Sequence, residues 1–152
     1  MSILKIDSSF PLLRSKNIVK ETLTPKVSFR INPGNNMDDN SGTSSNVNAN
    51  NIFDINRLGL SNDFEAGRSL TLGLDYKFDQ LEDNQSENTK DKYLELKIAT
   101  VIRDQNENDI PISSTINKKN SDLFGSINNQ LFENVGLTYN FSLDNDMKTL
   151  NS

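Results

Sequence analysis

The stretch VGLTYNFSLD, residues 135–144, alternates apolar and polar side chains along its whole length. Successive side chains of a β-strand point to opposite faces of the sheet. The stretch therefore places Val, two Leu, Tyr and Phe on one face and Gly, Thr, Asn, Ser and Asp on the other. This period of two predicts a strand whose two faces meet different environments.

The same alternation recurs in three other stretches, residues 23–32, 69–78 and 93–103. Weaker versions occupy residues 9–14 and 121–131. Amphipathic helices would show a period near 3.6, and none of these stretches does. The sequence therefore predicts an all-β protein with an antiparallel sheet of about five to six strands.

The predicted strands are separated by connections of unequal length. Residues 32–51, 79–91 and 104–120 are long and hydrophilic, whereas the junctions at 15–17 and 128–134 are short. The first of these long connections is rich in Asn, Asp, Ser, Pro and Gly, which favour turns, so residues 32–51 are predicted to form a flexible loop. Alternating short and long connections are typical of bacterial outer-membrane barrels.

Two architectures fit an alternating pattern, because a soluble β-sandwich and a membrane β-barrel both need one apolar face per strand. The predicted strands approach the roughly 9 to 11 residues that cross a bilayer at a tilt, which favours the barrel. No run of 18 or more apolar residues is present, so no transmembrane helix is predicted. Both architectures stay open on the pattern alone.

Composition narrows the range of functions. Only 34% of the 152 residues are hydrophobic, and the net charge of −5 argues against nucleic acid as a partner. The chain has no cysteine and no histidine, so it lacks the usual groups for nucleophilic attack, near-neutral proton transfer and transition-metal binding. We therefore expect no enzyme activity, no catalytic residue, no metal site and no cofactor.

Two acidic stretches were weighed as calcium sites, since Ca²⁺ prefers oxygen ligands. Asp38 and Asp39 are better explained as part of a solvated loop. The run that begins at Asp104 has the alternating oxygen donors of an EF-hand, but Asp109 stands at the glycine position and Thr115 at the bidentate Glu position. We reject that motif.

Residues 51–68 have no clean period, yet they combine apolar residues with charged ones and two glycines. They resemble a loop of the LptD family of lipopolysaccharide-assembly proteins, which reads approximately N-L-F-x-x-N-R-F-x-G-x-D-R-x-E-x-G before a strand. The matching positions are Asn51, Phe53, Asn56, Arg57, Glu65 and Gly67. The chain then continues as the family's strand does, with RSLTLGL at residues 68–74, whereas the departures are Leu58, Leu60, Asn62 and Asp63.

Flanking stretches support the resemblance in the same order. FPLLR at residues 10–14, LTP at 23–25 and SDLFG at 121–125 are similar to segments of the family's barrel. The resemblance covers about residues 10–146, and the abundance of Asn, Lys and Ile is similar to that of alphaproteobacterial members. It implies that residues 1–152 form one partial β-barrel domain of a longer polypeptide, because six strands cannot close a barrel.

The resemblance implies insertion of lipopolysaccharide into the outer leaflet of the outer membrane, with an LptE-like lipoprotein and an LptA-like periplasmic bridge as partners. It also implies an ordered loop turned toward the barrel interior, with structural or passage roles for Asn56, Arg57, Glu65, Gly67 and Arg68. Another outer-membrane barrel, such as a porin or receptor, and a soluble β-sandwich binding module remain alternatives.

Overall fold

The computed structural model describes residues 3–34, 46–60, 64–80, 92–132 and 135–144. These residues form one antiparallel sheet of seven strand segments. The strands are β1 (Leu4–Ser9), β2 (Leu12–Lys16), β3 (Val19–Asn32), β4 (Gly67–Gln80), β5 (Lys92–Arg103), β6 (Leu123–Phe132) and β7 (Val135–Leu143). The prediction of an all-β antiparallel fold is confirmed.

The count of seven exceeds the predicted five to six because proline splits the first strand. β1 and β2 both pair with β3, and one unbroken register runs from Leu4 opposite Ile31 to Lys16 opposite Val19. Phe10 and Pro11 lie between the two segments, and Phe10 N–H donates to the carbonyl oxygen of Pro25 at 3.0 Å. Proline cannot donate to a ladder, so β1 and β2 are two halves of one strand line.

The six resulting strand lines form a meander in which each strand pairs with the next along the chain. The described strands form an open sheet, with the β1–β2 line at one edge and β7 at the other. The tight turn after β2, where Asn17 has φ 52°, lies at the end of the sheet where β4 and β6 also end, which we call the tight-turn end. Residues 104–122 and the described parts of the connection between β3 and β4 lie at the opposite end, which we call the long-connection end.

Strands β3 and β4 are longer than the sequence pattern predicted. β3 and β4 each contain 14 residues and pair along their full length, from Val19 opposite Gln80 to Asn32 opposite Gly67. Strand β6 continues to Phe132, so the predicted junction at 128–134 is too long. Backbone hydrogen bonding extended these strands beyond the residues whose side chains alternate.

The register places the apolar residues of neighbouring strands opposite one another on one side of the sheet, which we call the outer face. One row near the long-connection end joins Phe29 on β3, Leu70 on β4 and Ile102 on β5. The other side, the inner face, carries the polar positions. Large hydrophobic side chains that remain exposed on the outer face are Leu4, Ile6, Val27, Phe29, Leu72, Ile98, Ile102, Leu137, Tyr139 and Leu143.

The buried core lies on the polar inner face. Residues 46–60 fold back from the long-connection end and bury Ile52, Leu58 and Leu60 there. The ring of Phe53 packs where a Cβ on Gly73 would lie, 2.6 Å from the ring's Cζ. Glycine at this position lets the ring approach the strand backbone closely.

The second long connection, residues 104–122, adds to the same core. It contains a short 3₁₀ helix, Ile112–Ser114, and it buries Ile110 and Ile116. Both isoleucines belong to one hydrophobic cluster with Ile52, Leu58 and Val101. The sequence analysis predicted only a hydrophilic loop here, because two isolated apolar residues carry no period.

Candidate functional site

Asparagine side chains shape the packed part of residues 46–66. The Oδ1 atom of Asn48 accepts a hydrogen bond from the Asn50 N–H, and that of Asn56 accepts one from Leu60, both at 2.9 Å. The Asn56 amide also donates to the Leu60 carbonyl at 2.8 Å. Asparagine readily replaces backbone partners in turns, so these side chains satisfy backbone groups at residues 50 and 60 where no regular structure does. Residues 35–45 of the predicted flexible loop, which include Asp38 and Asp39, lie outside the described residues.

Arg57 is 1% exposed and uses its whole guanidinium group. It forms a two-pronged ion pair with Glu65, through Nε at 2.6 Å and Nη2 at 2.5 Å. Its Nη atoms also donate to the carbonyl of Ile52 and to the hydroxyls of Thr71 and Ser69, at 2.9–3.2 Å. These five hydrogen bonds match the five N–H donors of the group, and they join the segment to strand β4.

Glu65 is the common acceptor of three arginines from three parts of the chain. Besides Arg57, it accepts from Arg30 on β3, at 2.9 Å, and from Arg103 on β5. All four side chains are at most 4% exposed. We call Arg30, Arg57, Glu65 and Arg103 the Glu65 cluster.

The Glu65 cluster holds three positive groups and one negative group. Burial lowers the pKa of Arg57 to about 9, which still leaves it charged at neutral pH. Further carboxylates act on the cluster from its edges: Asp7 and Asp54 on Arg30, and Asp104 and Glu107 on Arg103. Glu65 is nevertheless the carboxylate that contacts all three guanidinium groups, so its loss would leave them without their shared counter-charge.

Arg103 links the two long connections to each other. Its Nε donates to the Ile116 carbonyl at 2.5 Å and its Nη1 donates to the Ala66 carbonyl at 3.2 Å. Arg30 donates to the Asp54 carbonyl from the other side, while its Nε is buried with no hydrogen-bond partner. The sequence analysis missed Arg30 and Arg103. In the sequence each is an arginine near the end of a strand, on the polar face. The same pattern is found for arginines that are exposed to water, so it does not predict burial.

The five predicted site residues do not form one group. Arg57 and Glu65 belong to the cluster, and Asn56 supports the adjacent turn. Gly67 begins β4 with φ 83°, beside the side chain of Glu107, whereas Arg68 points to the outer face with 65% of its side chain exposed, 3.9 Å from Asp104. Their roles in passage stay predictions.

Two of the four positions that depart from the family's loop pattern have a structural account. Leu58 and Leu60 are both buried in the core against the inner face, so hydrophobic packing holds this part of the loop. Asn62 and Asp63 lie outside the described residues.

The rest of the inner face is polar and less covered. Opposite charges pair there along and across the strands, as between Lys26 and Asp75 at 2.5 Å and between Lys97 and Glu95 at 3.3 Å. Asn50 extends from the packed segment to Lys97 at 3.1 Å. This surface offers hydrogen-bond donors and acceptors, as a wet interior would.

The outer face carries a bounded apolar band. On β4 it runs from Leu70 to Phe78 and follows the charged Arg68. At about 3.3 Å per residue this is about 26 Å of strand, or about 20 Å across a membrane at a tilt of about 40°. The band is thus near the roughly 25 Å apolar belt of outer-membrane barrels. Phe141 covers Gly125 within it and so fills the space that a missing side chain leaves.

Within the described ranges, no group of three or more acidic, histidine or cysteine side chains could hold a metal ion. The same part of the chain contains no helix long and apolar enough to cross a membrane. The arrangement holds connections in place and presents a polar surface.

Comparison with known proteins gives a single family. No curated protein and no solved structure matches the chain. The family model of LptD, described as LPS transport system D, matches residues 1–152, which is the whole chain. This family acts in lipopolysaccharide transport at the outer membrane, and it is a transport and assembly family rather than an enzyme family. The resemblance of residues 51–74 is thereby confirmed: the chain belongs to the LptD family.

Proposed function

We propose that residues 1–152 form part of the wall of an outer-membrane barrel that inserts lipopolysaccharide into the outer leaflet. The observation that carries the proposal is the distribution of side chains between the two faces of the sheet. Leu72, Ile98 and Ile102 are exposed, whereas Arg30, Ser69 and Arg103 are buried.

This distribution is the reverse of what water-soluble sheets need. In a soluble sandwich the apolar face packs on a second sheet and the polar face meets water. Here the polar face carries the packed connections, and among the described residues no second sheet covers the apolar face. Apolar surface of this extent is costly in water and favourable in lipid.

The two faces would give the polar and apolar parts of lipopolysaccharide different routes. The sugars and phosphates of lipopolysaccharide are polar and would pass along the inner face, where amides, hydroxyls and ion pairs replace water. Its acyl chains would leave into lipid through a seam between strands that opens transiently, since unpaired strand edges are costly in hydrocarbon. Further strands would complete the barrel, because a single-chain barrel needs about eight or more.

The family's partners complete the proposal. An LptE-like lipoprotein would contact the interior, and an LptA-like bridge would deliver lipopolysaccharide from the periplasm. Asn56, Arg57, Glu65, Gly67 and Arg68 would serve passage indirectly, because they shape or border the connection that covers the inner face. Support for this role comes from the burial of Arg57 and Glu65 beneath that connection.

Neighbouring residues on β7 provide the test. Thr138 lies on the inner face and Leu137 on the outer face, and both are exposed. A photo-crosslinking amino acid at Thr138, in the complete protein in living cells, should capture lipopolysaccharide only while synthesis continues. At Leu137 it should capture membrane lipid whether or not synthesis continues.

Depletion of the protein in the same cells should lower the amount of lipopolysaccharide that reaches the outer leaflet. Unchanged export after depletion, together with no lipopolysaccharide crosslink at Thr138, would overturn the proposal. Small-solute uptake that depends on the protein, with normal lipopolysaccharide export, would favour a porin or receptor instead.

A further inference from the structure

We propose that Glu65 is the positioning residue that holds both long connections on the inner face as one unit. We call residues 46–60, 64–66 and 104–121 together the cap. The inference concerns coupling: each connection depends on the other for its place, although they are far apart in the sequence and join different pairs of strands.

The first support is the route of the polar contacts. Arg57 and Glu65 both belong to the first connection, and Arg103 belongs to β5, at the start of the second. Arg103 contacts Glu65 and Ala66 on one side and Ile116 on the other. Glu65 thus fixes the guanidinium group of Arg103, which in turn donates to the Ile116 carbonyl of the second connection.

The second support is the shared hydrophobic cluster. Ile52 from the first connection and Ile110 and Ile116 from the second are each at most 1% exposed. They belong to one cluster with Val101 of β5. If either connection lifted away, apolar side chains of the other would meet water, so a shared loss of protection is expected.

The third support is the charge imbalance of the Glu65 cluster. A buried ion left without its partner is strongly unfavourable, and three guanidinium groups share Glu65. Loss of this carboxylate should drive Arg30, Arg57 and Arg103 toward water. Since Arg30 and Arg103 are fixed to the sheet, the connections that cover them must move for water to enter.

Thiol accessibility tests the coupling directly, because the chain contains no cysteine of its own. Ile52→Cys reports on the first connection and Ile116→Cys on the second, since both positions are 0% exposed. Ile112→Cys, at a position that is 77% exposed, gives the rate of an open thiol. Each is made in the complete protein, in isolated outer membranes, with cysteines elsewhere in the polypeptide replaced.

Glu65→Gln should raise the maleimide reaction rates of both buried thiols together, by about tenfold or more. Glu21→Gln is the matched control, because Glu21 also pairs with an arginine, Arg14 at 3.6 Å, but at the surface. It should leave both rates unchanged. Faster reaction at Ile52→Cys alone, or at neither position, would overturn the coupling.

A double substitution distinguishes one shared cluster, in which both residues act together, from two contacts that act independently. Arg103→Gln should also expose both thiols, and Glu65→Gln with Arg103→Gln should exceed the larger single effect only slightly. Rates that multiply would overturn the proposal. If Glu65→Gln does not assemble, Arg103→Lys retains the charge without the planar fork, and it should raise the rate at both thiols.

The coupling between the two connections does not rest on the proposed function. Only the expectation that the inner face, and so the cap, borders a barrel lumen rests on it. The thiol rates are measured without lipopolysaccharide transport. Unchanged export after depletion, together with no crosslink at Thr138, would therefore overturn the proposed function and leave the coupling standing. Independent thiol rates would overturn the coupling and leave the proposed function standing.

Discussion

The outer and inner faces of this sheet are built by alternate residues of the same strands, yet their side chains are buried by opposite rules. On the outer face leucine, isoleucine and phenylalanine remain exposed, whereas on the inner face serine, threonine and arginine are covered. The difference shows that alternation only separates two environments. Which environment is wet depends on what covers each face.

The inner face also differs along its length. Near the long-connection end it is dry enough to bury the Glu65 cluster, and toward the tight-turn end it is lined by ion pairs such as Lys77 with Asp79 at 2.9 Å. In the covered part, Glu65 and its three arginines are buried and paired with one another. The open part is polar and less covered, and its charged side chains pair at the surface.

The largest expected effect comes from breaking the covered part. Arg57→Ala removes five hydrogen bonds and should lower the free energy of unfolding by about 3–5 kcal/mol, as for other buried ion pairs that lose a partner. Arg14→Ala removes an exposed arginine that pairs with Glu21, and it should cost about 0–1 kcal/mol. Urea unfolding of both variants in lipid vesicles measures the difference. Equal losses would mean that the inner face is as wet as the surface.

A lysine placed on each face in turn tests whether the two faces meet different environments. Leu72→Lys should hinder membrane assembly by about 2–4 kcal/mol if the site lies near the midplane, because the ammonium group would face lipid. Thr24→Lys puts a lysine on the inner face opposite Asp75 and should change stability by about 0.5 kcal/mol or less. Heat-modifiable gel mobility of the assembled protein compares them. Equal tolerance would contradict two environments.

A smaller loss of stability should follow when the packing of the cap on the sheet is disturbed without a change in charge. Gly73→Ala places a Cβ 2.6 Å from the ring of Phe53, and overpacking of this kind costs about 1–3 kcal/mol. Gly136→Ala meets nothing closer than the Asn129 carbonyl at 3.8 Å. Protease cleavage within residues 52–60 should be faster for Gly73→Ala than for Gly136→Ala. The reverse order would show that Phe53 does not seat the segment on the wall.

Much of the fold could be predicted from the sequence because strand formation depends on local alternation. The patterns at 69–78, 93–103 and 135–144 marked strands β4, β5 and β7 within two residues at either end. The residues Pro11 and Pro25 are visible in the sequence, but only the register shows that they lie at the same point of the first ladder, Pro25 opposite Phe10 and Pro11 one position further along. The weak pattern at 9–14 therefore hid two segments of one strand line.

Less of the candidate site could be predicted. Arg57 and Glu65 were found through their resemblance to a family loop, but the same resemblance included Arg68, which points outward. Arg30 and Arg103 were missed because an inward arginine at a strand end has the same sequence signal whether it is solvated or buried. Ile110 and Ile116 were missed because burial by a distant connection leaves no local period.

The sequence by itself determined that successive residues would face different environments, because strand geometry sends each side chain opposite to its neighbour. It also determined the family, through the order of short motifs along the chain. The tertiary structure decided that the polar face would be the covered one and that one carboxylate would serve three arginines. Those outcomes depend on how residues 46–60, 64–66 and 104–121 pack together, and contacts between segments distant in sequence are absent from any local pattern.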